Sequence, residues 1–139
     1  MSYLLDTNVV SESMRRRPNA GVMTLLSHLN DDDAFISVVT ITEIRTGIER
    51  LAAGQKRNRL DQWLRDELIQ RFTNRILPID TQIADACGRL VARSQRAGRP
   101  IDPRDAYIAA TAEVHSLTLV TRNTSDFEPV LKAMLNPWN

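Results

Sequence analysis

The stretch Tyr3-Leu4-Leu5-Asp6-Thr7-Asn8 decides how this chain folds and where its chemistry sits. Tyr3–Leu5 is apolar at every position, the pattern of a short strand covered on both faces. The acid follows directly, with the small polar pair Thr7-Asn8 behind it. In an open parallel sheet the ligand crevice lies beyond the carboxyl ends of the strands. A carboxylate placed there is better suited to chemistry than to packing.

Outward from that strand, apolar stretches alternate with segments of helical period, and no linker, repeat or low-complexity tract interrupts them. Val9–Met14 reads as a short helix ending at the Arg15–Pro18 break. Val22, Leu25, Leu26 and Leu29 give Gly21–Leu29 the 3-4 spacing of an amphipathic helix. After the polar turn Asp31-Asp32-Asp33, Ala34–Ser37 reads as a second strand. A helix is expected from about Thr40 to Ala53, with Ile41, Ile44, Ile48 and Leu51 on one face and Gly54 as its stop. Another runs from Lys56 to about Arg71 with the stripe Leu60, Trp63, Leu64 and Leu68. Arg75–Ile79 is the third strand, followed by Asp80 as the cap of helix Thr81–Ala97. Asp102-Pro103 opens the next helix, the acid as N-cap and proline in the first turn, running to about His115. Leu117–Thr121 is the fourth strand, and Val130–Leu135 holds a short fifth. Strands separated by helices predict one domain, residues 1–139, with a central, mainly parallel sheet in a three-layer α/β/α fold.

At 139 residues the chain is long enough for a real core, and its 42% apolar and 25% charged content are those of an ordinary globular protein. No apolar run has the length of a membrane span and no signal-peptide pattern opens the chain, so the expected location is the cytoplasm, with no membrane contact. The single cysteine, Cys87, excludes an internal disulfide and reads as a buried small residue of its helix. Net charge is only +1, which does not announce a nucleic-acid binder. The arginine runs Arg15-Arg16-Arg17 and Lys56-Arg57-Asn58-Arg59 read first as solvated surface, although arginine also suits phosphate contacts. With five glycines there is no glycine-rich phosphate loop. His28 and His115 lie on polar helix stretches without metal spacing, and no serine sits on a nucleophile elbow. Zinc hydrolase and triad chemistry are therefore poor fits.

Three further positions can be argued toward the crevice of Asp6. Glu43 lies one turn into the helix after the second strand, between core positions without being one. Asp105 stands three residues after the cap Asp102, at the mouth of a helix whose Ala106 and Ile108-Ala109-Ala110-Thr111-Ala112 look deeply packed. A carboxylate there is partly buried and needs a cation or a hydrogen-bond network. The fourth position is either Asn123 or Asp126, in the polar segment after the last strong strand. Each acid alone is an ordinary helix-start or turn residue. Together, clustered carboxylates call for a neutralising cation, and oxygen-only donors select Mg²⁺ or Mn²⁺. Such a site suits metal-assisted hydrolysis of a phosphodiester.

These segments resemble the PIN-domain ribonucleases. The likeness rests on Asp6-Thr7-Asn8, on Thr42-Glu43-Ile44-Arg45-Thr46-Gly47, on Asp105 through Ala112, and on Leu119-Val120-Thr121-Arg122-Asn123 through Asp126-Phe127. It spans nearly the whole chain and is greatest for the VapC-type toxins, in particular the FitB-like branch that shares the Asn136-Pro137-Trp138 tail. The resemblance implies a Mg²⁺-dependent endoribonuclease, the toxin of a toxin–antitoxin pair. It implies Asp6, Glu43 and Asp105 in the acidic site, with Asp6 and Asp105 as main metal ligands. Glu43 then binds a second metal or orients the attacking water. Thr7, Asn8 and Thr121 support them. FitB-like relatives can carry Asp where this chain has Asn123, so Asp126 is taken as the compensating acid and Asn123 as a hydrogen-bonding neighbour. Implied partners are RNA, single-stranded or looped at the cleavage site, a cognate antitoxin, and operator DNA only through the antitoxin. Such proteins form homodimers or larger toxin–antitoxin assemblies, and an antitoxin segment enters a groove beside the active site.

The alternative is a catalytically silent module of the same fold that works by assembling with an antitoxin on operator DNA. Retention of Asp6, Glu43 and Asp105 argues against it. A receiver-like phosphoacceptor pocket fails on residue type, because position 8 is Asn and the only lysines are Lys56 and Lys132.

Overall fold

Alternation along β1 (Tyr3–Leu5) sends Leu4 and Leu5 to opposite faces of the sheet, and both are buried. Next to it, β2 (Ala34–Ser37) and β3 (Ile76–Leu77) extend the sheet in one direction, while β4 (Thr118–Val120) and β5 (Met134–Leu135) extend it in the other. The strand order is β3-β2-β1-β4-β5, and every pairing is parallel. The computed structural model describes the whole chain, Met1–Asn139, and its doubly covered parallel sheet is the one expected from the apolar Tyr3–Leu5.

One face carries α1 (Thr7–Glu12), α2 (Ala20–His28), α3 (Val38–Glu49), α4 (Gln55–Gln62) and α5 (Ile69–Arg71). Its core joins Leu5, Val120, Val9, Val22, Ile36 and Leu64. The other face is packed by α6 (Thr81–Arg96) and α7 (Pro103–Val114), whose Ile83, Leu90, Ile108 and Ala109 meet Leu4 and Leu119. A short α8 (Thr124–Phe127) seats Phe127 in this second core. Each Leu or Ile buried here contributes about 1.5–3 kcal/mol, which is how three short inner strands hold a sheet of this size. No helix is long and apolar enough to cross a membrane.

Several boundaries depart from the sequence expectation. The first helix begins at Thr7 rather than Val9, because Asp6 is itself its N-cap and accepts from the Thr7 N–H. α3 starts at Val38 rather than Thr40, since Ser37 ends the strand and also caps the helix through Val39 N–H. Gly54 does not stop that helix: α3 ends at Glu49, and Gly54 opens α4. The expected helix from Lys56 to Arg71 is continuous only through a wide π turn at Trp63–Leu68, where Ile69 N–H reaches back to Leu64 C=O. The third and fifth strands shrink to two residues each, as edge strands with one neighbour do. Cys87 is buried, and His28 and His115 are exposed, as expected.

Candidate active site

The sheet's order reverses at β1, so the crevice between the carboxyl ends of β1 and β4 is its topological switch point. Asp6 sits at that crevice. Its N–H donates to Val120 C=O at 2.9 Å, which extends the β1–β4 ladder by one residue. Its carboxylate accepts from Thr7 N–H on Oδ1 and from Thr121 Oγ1 on Oδ2, both at 2.8 Å. Thr121, wholly buried, is thus the clamp from the neighbouring strand, and Asn123 N–H donates to the same hydroxyl at 3.0 Å.

Thr7 links Asp6 to the second acid. Its hydroxyl lies 2.7 Å from Glu43 Oε1 and 3.2 Å from the buried Thr40 hydroxyl, so the first turns of α1 and α3 are tied together through side chains. Asn8 Oδ1 accepts from Arg122 N–H at 3.3 Å and so holds the loop after β4 against α1. From the other face, α7 supplies Asp105. The helix is buried at Ala106 and from Ile108 to Ala112, as its small residues foretold, while Asp105 itself is half-buried at its mouth. Asp126, on α8, is exposed and borders the same small cavity as Asp105.

The electrostatics show which acids share the crevice. Asp6 is pushed above the usual carboxylate range by burial. The bonds from Thr121 and Thr7 oppose that, and the charges of Glu43 and Asp126 add to it. Asp105 is pushed up to about 6, first by burial, then by the charges of Asp6, Asp102, Asp126 and Glu43. The charges of Glu43 and Asp126 thus reach both Asp6 and Asp105, and that of Asp6 reaches Asp105. Asn123 is exposed and its side chain makes no capping bond, so only its backbone is engaged. No three of the acids close into a cage for an ion by themselves.

Several supporting residues escaped the sequence reading. Thr40 completes the Thr7–Glu43 link, and no local pattern marks it. The C-terminal tail buttresses the loop after β4: Asn136 Nδ2 donates to Arg122 C=O at 3.4 Å, and the Arg122 guanidinium lies 5.5 Å from the Trp138 ring centre. The tail in turn lies on the start of α2, where a Cβ on Gly21 would stand 2.2 Å from Pro137 C=O. Glu12, buried, accepts from Asn19 N–H at 2.7 Å and fastens the loop between α1 and α2.

Known proteins resemble this chain over nearly its whole length. The PIN domain family matches residues 3–130. Toxin FitB of Neisseria gonorrhoeae is 40% identical over 98% of both chains. The VapC ribonuclease Y4jK of Sinorhizobium fredii is 33% identical over 97% of this chain and 96% of its own. A solved structure described as FitAB bound to an IR36 DNA fragment superposes with a TM-score of 0.93, at 38% identity, over 99% of this chain and 96% of the other. The PIN-domain match over residues 3–130, with relatives 40% and 33% identical over nearly the whole chain, makes this chain a member of the PIN-domain family.

Proposed function

We propose that this protein is a divalent-metal-dependent endoribonuclease, the toxin of a toxin–antitoxin pair. The observation that supports it best is Asp105: a half-buried carboxyl raised to about 6 by burial and by other acids. A site that accumulates negative charge in a desolvated place is completed by a cation. The donors are all carboxylate or hydroxyl oxygens, the donor type that Mg²⁺ and Mn²⁺ select. Asp6 and Asp105 would hold the ion, with Glu43 at a second ion or at the attacking water. A cation held there would supply the activation of a water and the neutralisation of charge at a scissile phosphate.

The chain's own residues do the rest. Thr121 and the Thr7 N–H hold the Asp6 carboxylate at a fixed orientation, and the Thr7 hydroxyl does the same for Glu43. Asp126, exposed beside Asp105, supplies the fourth acid. Names borne by relatives, toxin and VapC ribonuclease, favour the same reading.

A cognate antitoxin is the expected protein partner, and the relative solved as FitAB on DNA suggests that operator DNA is met through it. The stripes of α2 and of the segment after α4 leave a groove of about 460 Å³ between them. Met23, Leu26, Leu29, Trp63, Leu68 and Phe72 line it. Apolar side chains of the antitoxin would fill it. The protein is expected to form homodimers, to which antitoxin binding adds larger assemblies.

The test is RNA cleavage by purified, antitoxin-free protein. Cleavage should need Mg²⁺ or Mn²⁺, stop in EDTA, and fall when antitoxin is added in stoichiometric amount. Undiminished cleavage in EDTA, or none with either metal, overturns the proposal.

A further inference from the structure

A second groove, of about 1000 Å³, leads away from Glu43 and Thr7. Arg15 and Arg16, from the loop after α1, and Lys56, Arg59 and Trp63, from α4 and the π turn, line it. Lys56, Arg59 and Trp63 are spaced i, i+3, i+7, so one helical stripe presents two cations and then an aromatic ring. The arrangement is selective. The neighbouring Arg57 and Arg65 are tied to Glu49 at 3.1 Å and to Asp61 at 2.9 Å. Lys56 and Arg59 have no such partner. Arg15 has only Glu12, at 3.9 Å. A chain of net charge +1 thus places four cations against the single acid Glu43 in one groove.

We infer that this groove is the track for single-stranded RNA, with phosphates held by Lys56 and Arg59 and a base stacked on Trp63. The inference rests on the nuclease reading and names how its substrate is held. A crevice of carboxylates repels a phosphodiester, so cations must flank it if the backbone is to approach. Stacking on an aromatic ring needs an unpaired base, which a duplex does not offer. Trp63, half-buried on the core and bordering the apolar groove on its other side, stands where the helix widens into its π turn, a distortion that recurs at functional sites. Four cations disfavour a basic antitoxin segment as the occupant.

Binding is measured in EDTA, by anisotropy of a labelled single-stranded RNA oligonucleotide over a range of salt. Lys56→Gln/Arg59→Gln should weaken binding about ten-fold or more at low salt. It should also flatten the log–log salt dependence by about one unit or more, at roughly 0.7 per lost phosphate contact. Arg89→Gln, on an exposed arginine of α6, should change neither. Trp63 emission, read in a Trp138→Phe background, should be quenched by the RNA and much less by an abasic oligonucleotide. Trp63→Leu, which keeps apolar bulk, should bind intact and abasic RNA alike, whereas Trp63→Phe should keep part of the difference.

Parent-like affinity and salt slope in the double variant, or no quenching at saturating RNA, overturns the inference. So does loss of antitoxin repression with RNA binding unchanged. The two readings fail separately. Binding that depends on these residues without any metal-dependent cleavage removes the nuclease and keeps the groove. Metal-dependent cleavage with binding indifferent to them does the reverse.

Discussion

Asp61 and Asp105 are both aspartates on helices of this protein, and their surroundings follow opposite rules. Around Asp61 the signs alternate: Arg45 donates to it at 2.7 Å and Arg65 at 2.9 Å, while Arg57 and Arg45 also reach Glu49. The hydrogen bond from Arg45 holds its carboxyl below the usual range; burial, the next largest effect, opposes it, and the charges of Arg45, Arg65 and Arg57 add to it. Around Asp105 the charges that act on it most are all negative, and the shift is upward. Arg99 borders the same cavity, yet it is bonded to Ser125 C=O at 3.0 Å and faces Glu128 at 3.8 Å. The basic residues thus neutralise the surface cluster internally, while no ion pair reaches Asp6 or Asp105.

The hardest test of that contrast is cleavage rate. Asp6→Asn or Asp105→Asn should lower RNA cleavage by at least about 10²-fold, as loss of a preorganised charge at a reacting centre does. Asp61→Asn should leave it within about two-fold. Equal losses at Asp61 and Asp105 in a rate assay would erase the distinction between the two clusters.

A smaller difference is expected inside the crevice. Asp126→Asn should reduce the rate about ten-fold, and Asn123→Ala by less, because Asp126 acts on both Asp6 and Asp105 and the Asn123 side chain makes no capping bond. The reverse order would make position 123 the fourth site residue and leave Asp126 as a turn of α8.

Stability against pH should separate the clusters by sign. An aspartate ionises near 3.8 in the unfolded chain, and Asp105 near 6 in the folded protein. Between these values the native state holds a proton that the unfolded chain has released, so metal-free stability falls as pH rises through that window. Asp6, also raised, adds in the same direction. The melting temperature in EDTA should be a few degrees lower at pH 8 than at pH 5. Mg²⁺ should recover it at pH 8 by binding the folded state only, and Asp105→Asn should flatten the profile. A metal-free profile that rises from pH 5 to pH 8 would contradict the assignment.

The smallest effect has the opposite sign. Asp61, lowered in the folded state, stabilises above the unfolded value and loses that contribution as pH falls through its folded value. Asp61→Asn should therefore slightly lower the melting temperature at pH 7, where Asp105→Asn raises it in the absence of metal. Exposed ion pairs of this kind are weak, so only the sign is diagnostic.

Much of this was legible in the chain. The fully apolar Tyr3–Leu5 predicts a doubly covered strand, the Asp102-Pro103 pair predicts the start of α7, and the run of small residues after Asp105 predicts its depth. These signals are local: burial on both faces, a capping carboxylate and a fixed proline φ act within a few residues. Element ends were less legible where one residue serves two elements. Ser37 closes β2 and caps α3, and Asp6 follows β1 and caps α1, so helices begin earlier than periodicity alone suggests.

By itself, then, the sequence determined the layered parallel fold and which acids lie near strand and helix ends, because those follow from short-range pattern. Only the tertiary structure decided the strand order that puts Thr121 on Asp6, residues 115 apart, and the Thr40–Thr7–Glu43 link across two helices. It also decided which arginines are spent in ion pairs and which line the groove. Hydrogen bonds and charges act through space at a few ångströms, and a pattern read along the chain contains no information about which distant residues the crossovers bring within that range.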